Sequence, residues 1–183
     1  MNAVPDLANR FGDPPEAVGR YVASLLGVLG GRDPWEVQEA QAARLAEAVA
    51  GLDDAALRTP EAPGKWSVVE VVQHLADTEL VHGYRMRKIV ADPGCAIEGY
   101  DQDAWSRELG YAGVELAAAL EQHRALRTAN LRWLRSLDDE RLDRAGMHAE
   151  RGPESVRRVV TLLAAHDLVH LAQIERIRRT IGA

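Results

Sequence analysis

His166 and His170 stand four residues apart in a segment of helical periodicity, so their imidazoles emerge one above the other on one helix face. Leu162, Leu163, Ile174 and Ile177 share that face, which points both rings toward an apolar interior where each ring nitrogen needs a partner. A bound metal ion satisfies both rings at once. A third histidine, His74, lies on another helical segment near the apolar stripe of Val71, Leu75 and Val81. Side chains from two facing helices of a bundle can meet on one ion, and three protein ligands leave positions open to water or substrate, the pattern of a catalytic site. Three separate, hydrogen-bonded core histidines are the alternative reading. Cys95, the only cysteine, can form neither an intrachain disulfide nor a thiolate cluster, so the expected metal is one that suits imidazole, zinc or nickel.

The elements that must position these residues are helical, and the chain reads as all-α. A first helix follows Asp13-Pro14-Pro15 and ends at Gly30-Gly31, with Val18, Val22, Leu25, Leu26 and Leu29 on one face. A second follows Asp33-Pro34 and runs through Val37, Gln41, Leu45 and Val49 to Gly51. Ser67-Val68-Val69-Glu70 has the form of a capping box and opens the His74 helix, which stops before Asp92-Pro93-Gly94. A connection of about 20 residues, long for a compact domain, leads through Trp105 to Tyr111-Ala112-Gly113. The next helix spans about Val114 to Leu137, its buried stripe expected at Leu116, Leu120, Leu126 or Arg127, Leu131 and Leu134. After a polar stretch, Ser155 opens the last helix, which carries His166 and His170. Four main helices and an additional N-terminal one emerge, divided as an extension over residues 1–32 and a bundle domain over 33–183.

Composition narrows the function classes. At 183 residues the chain is expected to form a single compact unit, with no apolar run of membrane-spanning length. A net charge of −6 and a pI near 5.5 give no basic surplus for phosphates, so no nucleic-acid partner is expected. A lone cysteine and an N-terminus without signal-peptide features lead to an expected cytoplasmic location. The basic residues are arginine except for Lys65 and Lys88, the mark of a GC-rich bacterial genome.

Four segments together carry a resemblance: Gly64-Lys65-Trp66-Ser67-Val68, His74-Leu75-Ala76-Asp77-Thr78-Glu79, Asp101-Gln102-Asp103-Ala104-Trp105, and His166-Asp167-Leu168-Val169-His170-Leu171-Ala172-Gln173-Ile174. In this order and spacing, from about Asp33 onward, the chain resembles the DinB/YfiT-like superfamily of bacterial metalloenzymes. The resemblance implies a four-helix bundle of up-down-down-up topology, one divalent metal on His74, His166 and His170, and a homodimer. It also implies a metal-dependent enzyme acting on a small molecule, first of all a thiol-dependent S-transferase with a low-molecular-weight thiol as cosubstrate. A metal-dependent hydrolase using the same open positions, and a non-enzymatic metal- or ligand-binding bundle, are the alternatives.

In that topology the long connection must travel the length of the bundle and return to the end where the His74 helix begins. His74 is seven residues past Ser67, about 10 Å along the axis at 1.5 Å per residue, so the metal end and the returning loop should meet. Asp101 and Asp103 are therefore the expected catalytic carboxylates, Tyr100 and Trp105 the expected substrate-binding residues, and Asp77 an expected hydrogen-bond acceptor behind a ligand. A solvated loop anchored by Trp105 is the alternative. His148 is placed at the opposite end, away from the metal.

Overall fold

The computed structural model describes residues 11–182. Helix α1 (Pro15–Leu29) begins on its proline pair and ends at Gly30, whose φ of 60° is the left-handed conformation that glycine takes without penalty. In α2 (Pro34–Val49) the Asp33 side chain accepts from the Trp35 amide at 2.8 Å. A short α3 (Asp54–Arg58) precedes α4 (Val68–Ala91), where Glu70 Oε2 accepts from Ser67 N at 2.8 Å and Ser67 Oγ at 2.7 Å, the returning half of the expected cap. Beyond α4 come a two-residue strand β1 (Ala96–Ile97), helix α5 (Gln102–Glu108), a 3₁₀ turn (Tyr111–Gly113) and α6 (Leu116–Leu134). Helix α7 (Asp139–Asp143), strands β2 (Ala145–His148) and β3 (Gly152–Ser155) and helix α8 (Val156–Ile181) complete the chain. Ser155 Oγ caps α8 by accepting from the Arg158 amide at 3.1 Å.

Helices α2, α4, α6 and α8 form a four-helix bundle, and side-chain bonds between them fix its topology. Along α4 and α6, Gln73 bonds Gln122, Asn130 bonds Glu79, and Arg87 stacks on Trp133, so residue numbers rise together and the two helices are parallel. Along α2 and α8, Gln38 bonds the Val160 carbonyl and Arg178 bonds the Ala48 carbonyl, again a parallel pair. Helices α4 and α8 run opposite ways: Met86 shares a cluster with Val159 and Val160, whereas Val71 and Val72 share one with Ile174 and Ile177. The order is up-down-down-up. The α4-to-α6 connection returns to the start of α4 as the topology requires, with Ser106 Oγ donating to Glu70 Oε1 at 3.4 Å and Tyr111 Oη donating to Asp77 Oδ2 at 2.6 Å.

Three features differ from the sequence expectation. A small three-stranded sheet joins the connection to the hairpin before α8, with β1 parallel to β2 and β2 antiparallel to β3. Strands of two to four residues are too short for alternation to register in a sequence, as α3, α5 and α7 are too short for helical periodicity. Of the stripe expected on α6, Arg127 and Leu134 are buried, but the rest of the buried face is Ala119, His123 and Asn130, and Leu116, Leu120, Leu126 and Leu131 flank it half-buried. That face holds polar groups because partners await them: Arg127 pairs with Asp167 at 2.8 Å and with Glu79 at 2.9 Å. Finally, α1 lies along α8, with Val22, Leu25 and Leu29 in one apolar cluster with Val37, Leu162 and Val169. No helix among the described residues is long and apolar enough to cross a membrane.

Candidate metal centre

The antiparallel packing of α4 against α8 brings His74 over the gap between His166 and His170. His74 Nε2 lies 3.2 Å from His166 Nε2, which lies 3.0 Å from His170 Nε2. The α4 ring is buried, and the α8 rings are half-buried. Trp66 packs on His74 with ring centroids 4.8 Å apart. Burial, followed by the neighbouring His170, holds His74 well below the usual histidine range, and burial with His170 and His74 does the same for His166. Burial brings His170 down to about 4. All three rings are therefore neutral near pH 7, the form that binds a metal.

The hydrogen bonding fits a common ion better than mutual bonding. His170 Nδ1 is 2.7 Å from Gln173 Oε1, an acceptor, so the ring proton sits on Nδ1 and the Nε2 lone pair faces the cluster. Nδ1 of His74 and Nδ1 of His166 are buried without a partner. With all three rings protonated at Nδ1, three lone pairs converge; with His166 protonated at Nε2, its single N–H can meet one neighbour and leaves the other lone pair unmet. A cation at the convergence resolves the first arrangement, and these three donors are the one group among the described residues able to hold an ion. Gln173, which orients the His170 ring, was not singled out by the sequence, although its i+3 spacing from His170 is the signal that could have found it.

A cavity opens beside the cluster, with His74, His166, Thr78 and Tyr100 in its wall. Thr78 Oγ1 lies 3.5 Å from His74 Nε2 and 3.5 Å from the Tyr100 hydroxyl, so Tyr100 is brought to the site as expected. Trp105 supports it from behind, ring centroids 4.8 Å apart, without lining the cavity. Asp101 and Asp103 are not brought there: both are exposed, and Asp101 Oδ1 caps α5 by accepting from the Asp103 and Ala104 amides at 3.0 and 2.9 Å. An aspartate at an N-cap position and a loop acid look alike in sequence. Asp77 is buried, but it accepts from Tyr111, Gln73 and Gln122 and from no histidine, tying the connection to α4 and α6. His148 stands away from the three histidines, as expected, but β2 brings its ring into the cavity wall with His82, Arg85, Arg151 and Glu154, which the sequence did not suggest. From α1, Tyr21, Val22 and Leu25 close another side.

The family model described as the DinB superfamily matches residues 38–174, which include the three histidines. The chain belongs to the DinB superfamily. It is 30% identical over 161 residues to a Bacillus subtilis protein named "Putative metal-dependent hydrolase YfiT", covering 82% of this chain and 86% of that one. A similarly named protein of Oceanobacillus iheyensis is 29% identical over 133 residues, covering 72% and 76% of the two chains. The solved structure of YfiT from Bacillus subtilis, described as a probable metal-dependent hydrolase with an unusual four-helix bundle topology, superposes with a TM-score of 0.76 at 28% identity, covering 81% of this chain and 86% of that one. This DinB-superfamily chain thus shares with YfiT the bundle on which its own histidines converge.

Proposed function

We propose that the protein is a metal-dependent hydrolase of small molecules, with His74, His166 and His170 as ligands to one zinc or nickel ion. The observation that carries the reading is the convergence of three Nε2 atoms, with His74 and His166 in a cavity wall and Gln173 fixing the tautomer of His170. A divalent ion held there supplies Lewis acidity, polarising a substrate carbonyl and acidifying water. The chain's own groups bind and orient. Tyr100 is kept protonated because burial raises its pKa, so its hydroxyl can donate to a substrate oxygen beside the cluster. Thr78 holds that hydroxyl from α4, Trp66 packs on the His74 ring, and α1 contributes Tyr21, Val22 and Leu25 to the cavity wall.

The names of the relatives favour hydrolysis, and no cavity residue singles out a thiol, so thiol transfer becomes the second reading. Metal analysis by mass spectrometry of the wild type and His170→Ala, followed by an ester and amide panel beside a thiol-plus-electrophile panel, tests both. The wild type should retain one equivalent of zinc or nickel and turn over the first panel, and His170→Ala should lose both properties. Equal metal content in the two proteins would sink the metal assignment, and turnover confined to the thiol panel would make the enzyme a transferase.

A further inference from the structure

We propose that the end of the cavity away from the three histidines is a carboxylate-binding subsite built from Arg85 and His148. His74, Thr78, His82 and Arg85 follow one another at intervals of four, four and three residues, so one face of α4 lines the cavity from the metal ligands to the guanidinium. Arg85 is only 7% exposed, and among the described residues no carboxylate lies within ion-pair distance of it. Its bonds go to neutral acceptors, the Glu98 carbonyl and His82 Nε2, the latter at 3.4 Å. His82 can only accept there, because its Nδ1–H donates to the Thr78 carbonyl at 3.0 Å. Arg151, beside it, is different: Glu154 holds its guanidinium in two bonds of 2.6 and 2.9 Å.

His148 supplies the second, independent feature. The Glu150 amide donates to His148 Nδ1 at 3.1 Å, which leaves the ring proton on Nε2. That Nε2 is buried without a partner, and the whole side chain is 2% exposed. One cation without a direct ion-pair partner and one idle N–H donor therefore share a cavity wall, and a buried donor left unpaired is costly. A bound anion satisfies both. Arg85 and Arg151 face Glu150 and Glu154 across this end, so its charges already balance and only Arg85 lacks a direct carboxylate partner, which suits a monoanionic carboxylate better than a phosphate dianion.

Along α4 the two ends are separated by the eleven residues from His74 to Arg85, about 16 Å between backbone positions and less at the tip of the long arginine side chain, and Val22, Leu25 and Leu162 add apolar wall to the same cavity. The ligand class is thus an elongated small acid: a carboxylate at the Arg85 end, an apolar chain, and a hydrolysable carbonyl at the histidine end. The identification rests on reading the histidine cluster as the reactive end. N-acetyl-6-aminohexanoate and its neutral carboxamide, titrated separately into metal-free full-length protein and followed by ¹H–¹⁵N NMR, test it without activity. The acid should bind at least tenfold more tightly than the amide and shift the Arg85 Nε–H and His148 Nε2–H signals, and Arg85→Gln should abolish that preference while leaving amide binding unchanged. Equal binding of the two probes by the wild type, a measurement that needs no variant to fold, overturns the proposal, as does a preference that survives in folded Arg85→Gln. Metal content is measured apart from this: acid preference in a protein that takes up no metal sinks the hydrolase reading and leaves the subsite standing.

Discussion

Single residues decide what the cavity can do, and Tyr100 and Arg127 show two ways. Tyr100 comes from an irregular segment and owes its position to Thr78 and the stacked Trp105. Tyr100→Phe keeps the packing and removes the donor, so kcat of any substrate found should fall by about 10-fold to 10³-fold with metal content unchanged, as measured by steady-state kinetics beside mass spectrometry. Unchanged kcat would mean that the hydroxyl does not meet the substrate. Arg127 acts on the fold instead. Burial works against its charge, but Asp167 and then Glu79 more than compensate, so the guanidinium stays protonated between two buried carboxylates. Arg127→Ala strands both acids and should cost about 3–5 kcal/mol in urea denaturation. Arg127→Met with Glu79→Gln and Asp167→Asn should recover part of that loss, because the stranded charges are gone.

At the scale of elements, the α4–α6 contact is set by a glycine. A Cβ on Gly83 would stand 2.7 Å from Asn130 Oδ1 and 2.8 Å from its Nδ2, and Asn130 is itself held by Glu79 and Arg87. Gly83→Ala should therefore destabilise by about 1–3 kcal/mol despite the better helix propensity of alanine, and thermal unfolding reads that directly. A stabilised variant would show that the two helices can separate freely. Helix α1 has a comparable bearing on the site. It lies outside the family match at residues 38–174, yet Tyr21, Val22 and Leu25 wall the cavity. The pattern of its apolar face was legible in the sequence, but the surface it covers was not, since α8 offers neighbouring stripes to α1 and α2 alike.

For the whole molecule, buried neutral histidines make stability depend on pH. Burial, then Arg127, lowers His123 to about 4 against Glu79, and burial, then Arg151, lowers His148 to about 4. The unfolded chain takes up protons near pH 6.5 that the folded chain refuses until about 4, so this contribution is complete above 6.5 and is lost as pH falls toward 4. For His123 the span corresponds to roughly 3 kcal/mol. Urea midpoints of the metal-free protein should drop steadily between pH 7 and 4.5, and His123→Gln should flatten the slope. A flat profile in the wild type would mean that these rings titrate freely in the native state.

The sequence alone determined the long helices, their caps and the histidines that come together, because each is a local pattern: Asp33 before Pro34, Ser67 with Glu70, and two histidines at i and i+4 on an apolar face. Periodicity of 3.6 residues is robust over the 24 residues of α4 and the 26 of α8, and these helices carry all three converging histidines. Only the tertiary structure decided what surrounds these histidines. Asp101 and Asp103 read as catalytic acids until the turn around them took up the Asp101 carboxylate as a cap, whereas His148, far along the chain and beyond α6, reached the cavity through a four-residue strand. The polar stripe of α6 lies inside because Glu79 and Asp167 come from two other helices, and no local pattern in α6 contains its partners. Helices follow from interactions between residues three and four apart, but a cavity is made of residues whose separation along the chain carries no information about their separation in space.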